Sequence, residues 1–97
     1  MGSLEDIKMI IKKNRQYLID RYQVSSLELF GSYGRGEEQS DSDVDLLVEF
    51  LAPIDLFDLI GLEQYLSDIL GKKVDLVMKD ALKPRLRERI LKEAVEI

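Results

Sequence analysis

The segment Asp41–Phe50, DSDVDLLVEF, constrains the chain more than any other. Successive side chains of an extended backbone point to opposite faces, so Asp43 and Asp45 project from one side of a strand, and Val44, Leu46 and Val48 from the other. Carboxylates so spaced repel each other, and a divalent cation held by both relieves that repulsion. Within it DVDLLVEF, Asp43–Phe50, reads as a strand ended by Pro53.

The rest of the pattern places this strand in an α/β domain. Ser3 and Asp6 mark a helix start, and Leu4, Ile7, Ile10, Ile11, Tyr17, Leu18 and Tyr22 recur on one side of a single helix reaching about Tyr22. Ser26–Phe30 is a short strand bounded by Gly31. Asp55 caps a helix carried by Leu56, Leu59, Ile60, Leu62, Leu66, Ile69 and Leu70, with Gly71 as its stop. KKVDLVM, Lys72–Met78, is a further strand. Leu82, Leu86, Ile90, Leu91 and Ala94 predict a last helix from Ala81, with Pro84 tolerated in its first turn. With a short helix after Gly31, the expected order is α-β-α-β-α-β-α: a small mixed sheet of about three strands flanked by helices. At 97 residues the chain supports one core, and hence a single domain over residues 1–97.

Asp75 interrupts its strand as Asp45 does, between Val74 and Leu76. If the two strands are neighbours, Asp43, Asp45 and Asp75 converge as a set of oxygen ligands. The chain has no Cys and no His, so the set suits Mg²⁺ or Mn²⁺ rather than zinc. Two such ions would clamp an in-line phosphoryl displacement. The turn FGSYGRG then has a purpose: close backbone approach at Gly31, free N–H groups and the Ser32 hydroxyl face an anion, with Arg35 one turn on as a further phosphate contact. Two other phosphate- or calcium-binding motifs fail. Leu46 and Ala52 stand where an EF-hand loop needs glycine and glutamate, and GSYGRG lacks the Gly-Lys-Ser/Thr of a P-loop.

Net charge is −5, which argues against general nucleic-acid binding, although the segment Lys79–Lys92 is strongly basic. No apolar run approaches the length of a membrane span, so a soluble, cytoplasmic protein is expected. For so small a domain, association with a second copy or another chain is a natural supplement to stability.

Gly31-Ser32, ten residues, then Asp43-x-Asp45, with Asp75 in a later strand, resembles the signature of the DNA polymerase beta nucleotidyltransferase superfamily. GSYGRGEEQSDSDVDLLVEF, GKKVDLV and LKPRLRERILKEAVEI together resemble its minimal nucleotidyltransferase group, whose members are encoded beside a HEPN-domain protein. Gly34 departs from the alanine usual in that group and touches no chemistry. The resemblance implies that Asp43 and Asp45 bind both metal ions, and that Asp75 binds the catalytic one and helps activate the attacking hydroxyl. Gly31 and Ser32 would contact the β- and γ-phosphates. It further implies transfer of AMP from ATP to a tyrosine of a HEPN toxin, an RNase, by the antitoxin of a type VII pair. An antitoxin acting by contact alone, or transfer to a small molecule, are the alternatives.

Overall fold

The computed structural model describes residues 4–31, 33 and 43–97. The described elements are α1 (Leu4–Lys13), α2 (Arg15–Tyr22), β1 (Val24–Phe30), β2 (Val44–Phe50), α3 (Leu56–Leu70), β3 (Val74–Met78), a 3-10 turn (Lys79–Ala81), α4 (Pro84–Glu93) and β4 (Val95–Glu96). The strands form one sheet in the order β3-β2-β1-β4, with β2 and β3 parallel and the other neighbours antiparallel. The α/β class is as expected, and the sheet has a fourth strand. Val95 and Glu96 pair with Leu29 and Glu28, a contact too short to leave a period in the sequence.

The expected first helix is two. Asn14 leaves helical geometry at φ −102°, ψ 8°; its side-chain amide donates to the Ile10 carbonyl at 2.8 Å, and its Oδ1 accepts from Tyr65 Oη at 2.9 Å. This local competition for backbone bonds breaks the helix without changing its apolar face. Ile7, Ile11, Leu18 and Tyr22 are buried, whereas Tyr17 is half exposed, its ring 4.8 Å from that of Tyr65.

In α3 the cap is as expected, the Asp58 N–H donating to Asp55 Oδ1 at 2.8 Å, and Gly71 closes the helix at φ +65°. The apolar face is narrower than its sequence. Leu62, Leu66 and Leu70 are buried, but Leu56 and Ile60 are exposed: at about 100° per residue they lie roughly 120° and 160° around α3 from Leu62. Pro84 takes the first position of α4, where its missing N–H costs nothing.

One face of the sheet carries the core, with Leu27 and Leu29 of β1, Val44, Leu46 and Val48 of β2 and Val74 of β3 packed under α1, α2 and α3. The crossover from β2 to β3 through α3 and the return from β3 to β4 through α4 run in opposite directions along the sheet. Right-handed connections therefore put α3 and α4 on opposite faces. Burial agrees: α3 supplies Leu62, Leu66 and Leu70 to the core cluster and α4 supplies no buried residue.

Candidate active site

Alternation along β2 sends Asp45 and Leu47 to the face opposite the core. In the parallel register Asp45 stands directly beside Asp75, and in the antiparallel register directly beside Phe30. The row Phe30, Asp45, Asp75 thus crosses three strands on one face. Both aspartates are half-buried; Asp43 lies one residue before β2 and is exposed.

Gly31 follows the last residue of β1, so the same register brings it to Asp45. Its φ is +68°, and a β-carbon built there would overlap Asp45 Oδ2 and stand 3.2 Å from Asp45 Cγ. Only glycine meets both demands, left-handed backbone and no side chain against the carboxylate. Tyr33, two residues on, is 1% exposed and joins the core cluster, which anchors the start of the turn. Its hydroxyl has no hydrogen-bond partner among the described residues. Ser32 and Arg35, the other expected phosphate contacts, lie outside the described residues.

Gly31, Asp45 and Asp75 are therefore brought together, and Asp43 precedes β2 by one residue. Among the described residues no set of three or more acidic side chains is already gathered as a metal-holding group. Their carboxylate oxygens nevertheless match a hard divalent cation, and the chain offers neither a thiolate nor an imidazole to compete.

A charged cluster on the same face was not anticipated. Lys79, at the start of the 3-10 turn after β3, reaches across β2 to Glu28 of β1, its Nζ 2.5 Å from Glu28 Oε1 and 3.2 Å from Glu49 Oε1. Glu28 pairs with Leu47, one row from Asp45. The hydrogen bond to Glu28 raises the Lys79 pKa, aided by Glu49 and opposed by desolvation. The clue in the sequence is Glu28 inside SSLELF, a carboxylate at an alternating position of an apolar strand, just as Asp45 and Asp75 are.

Comparison with known proteins fits this geometry. The family model for the nucleotidyltransferase domain matches residues 11–97. The protein adenylyltransferase MntA of Thermococcus cleftensis is 43% identical over 97 residues, covering 100% of this chain and 98% of that protein. A solved structure assigned as a minimal nucleotidyltransferase superposes with a TM-score of 0.81 at 38% identity, covering 98% of this chain and 96% of its own. A toxin–antitoxin crystal structure with AMP-PNP superposes with a TM-score of 0.72 at 27% identity, covering 88% of this chain and 69% of that one.

Proposed function

This chain belongs to the nucleotidyltransferase domain family, and from that premise we propose that it transfers AMP from ATP to a hydroxyl, a tyrosine, of a partner HEPN toxin, as the antitoxin of the pair. The observation that carries the reading is the row Asp45–Asp75 with Gly31 closed onto Asp45: carboxylates meet a turn that only glycine can make. Support for adenylyl transfer comes from the full-length likeness to a protein adenylyltransferase, and for a toxin partner from the likeness to a toxin–antitoxin structure holding an ATP analogue.

In this mechanism Asp43, Asp45 and Asp75 would hold Mg²⁺, which would neutralise triphosphate charge and ease ionisation of the acceptor hydroxyl. The Gly31 backbone and Ser32 hold the β- and γ-phosphates, with Arg35 beside them. The acceptor oxygen forms a bond to the α-phosphorus while the bond from that phosphorus to the β-phosphate bridging oxygen breaks, and pyrophosphate leaves. Asp75 takes the acceptor proton. With no histidine in the chain, positioning and charge neutralisation supply most of the rate. The described residues contain no helix long and apolar enough to cross a membrane.

The test is incubation with labelled ATP, Mg²⁺ and the HEPN protein encoded beside it. Label on the toxin that is absent with Asp45→Asn supports the reading. Full neutralisation of the toxin by Asp45→Asn, without label, establishes instead an antitoxin that works by contact.

A further inference from the structure

Five of the large apolar side chains that face solvent lie at the end of the sheet opposite Asp45 and Asp75: Leu51, Leu56, Phe57, Ile60 and Met78, from 36% exposed at Met78 to 84% at Phe57. Leu51 and Met78 line a groove of about 370 Å³ together with Phe50, Ile54 and Asp80. Together these side chains expose roughly 500 Å² of apolar surface, near the upper end of what a monomer leaves uncovered. The rim carries Asp55, Asp58 and Asp80, with Arg21 3.5 Å from Asp58 as its one basic neighbour among the described ion pairs there, and the sequence from Arg35 to Lys72 contains ten acidic residues and no Lys or Arg between those two.

The helix that begins beside this surface has the complementary character and lacks support. Every residue from Lys83 to Arg89 is exposed, including Leu86 at 49%, so the first half of α4 stands clear of the body. Two turns without tertiary contacts are marginal alone. That half carries Lys83, Arg85, Arg87 and Arg89 against Glu88 only, with Leu86 among them.

We propose that two copies of this chain form a two-fold dimer, the first half of α4 of each copy lying on the acid-rimmed apolar surface of the other, with Leu86 against Leu51, Phe57 and Met78. A two-fold axis makes both contacts at once, since the same pair of surfaces meets twice. Docking the apolar surfaces directly on each other would instead oppose carboxylate to carboxylate. With its charged rims, the doubled contact reaches the area of a standard interface, about 800 Å² per partner. The apolar surface lies at the ends of β2 and β3 opposite Asp45 and Asp75.

Sedimentation equilibrium of the purified chain tests this. The expected result is a dimer at about 50 mM salt that weakens at about 1 M, where charge is screened. Phe57→Ser, a change at an exposed site that needs no refolding of the core, should weaken the dimer by about tenfold or more. Arg85→Glu with Arg89→Glu should do the same, as should Asp58→Lys with Asp80→Lys. All four charge reversals in one chain should restore the dimer, a rescue that damage to the fold cannot produce. A wild-type monomer at about 100 µM, where even a weak dimer of this area would form, overturns the proposal; so does a dimer indifferent to Phe57→Ser.

Discussion

Gly31 lies so close to the Asp45 carboxylate that a β-carbon at position 31 would overlap Asp45 Oδ2 and crowd Asp45 Cβ at 3.4 Å. The turn after β1 and the acidic end of β2 are therefore one construction. The backbone proposed to approach a phosphate is fixed by the side chain proposed to hold a metal.

Gly31→Ala should consequently hurt twice. The left-handed backbone alone costs about 1–2 kcal/mol for a residue with a β-carbon, and the displaced Asp45 should lower label transfer by about a hundredfold, as a misplacement of about 1 Å does. Gly71→Ala is the control: its φ is +65° but nothing lies within 4 Å of an added β-carbon. It should lower the melting temperature and leave transfer per folded molecule unchanged. Equal losses of transfer in the two variants would separate Gly31 from the site.

Asp45 and Asp75 are paired across parallel strands, and like charges directly opposite destabilise a sheet. Asp75→Asn should therefore melt no lower than wild type in EDTA, and the rise in melting temperature that Mg²⁺ gives the wild type should shrink or vanish. A wild-type melting temperature indifferent to Mg²⁺ up to about 10 mM, well above any functional affinity, would argue against a metal at these residues.

Lys79 should give the fold an alkaline limit. Its hydrogen bond to Glu28 raises its pKa above the ordinary 10.5 of lysine. The stabilisation is therefore complete below 10.5 and is lost as pH rises through the higher folded value. Lys79 and Glu28 side chains are only 18% and 15% exposed, so Lys79→Met, which leaves Glu28 unpaired, should cost about 1–3 kcal/mol. Urea unfolding across pH 7–11 should show the alkaline decline in the wild type and a smaller one in Lys79→Met.

Tyr33 buries a hydroxyl that lacks a partner among the described residues. Tyr33→Phe should be neutral or stabilising by up to about 1 kcal/mol, because a buried polar atom without a partner is costly. A loss above about 1 kcal/mol by urea unfolding would show that the hydroxyl is bonded within the turn.

The sequence by itself determined the elements and the chemical types at the site. Alternation in DVDLLVEF and KKVDLVM identified strands with a carboxylate on the non-core face, and the Asp55 cap and Gly71 stop bounded a helix. These are local properties: backbone periodicity and capping depend on neighbours a few residues away. Helical spacing does not by itself settle packing. Leu56 and Ile60 repeat at helical spacing yet face solvent, and one expected helix breaks at Asn14, whose side chain has a partner 51 residues away in Tyr65.

Only the tertiary structure decided which strands are neighbours. That Asp45 faces Asp75, that Gly31 closes on Asp45, that Lys79 reaches Glu28 and that Val95 adds a fourth strand all depend on sheet order and register. Strand pairing joins residues far apart in sequence, and the period of each strand is the same whichever neighbour it takes. The geometry of the site was therefore settled by the whole core at once, as the buried faces of β1, β2 and β3 aligned beneath a common layer of helices.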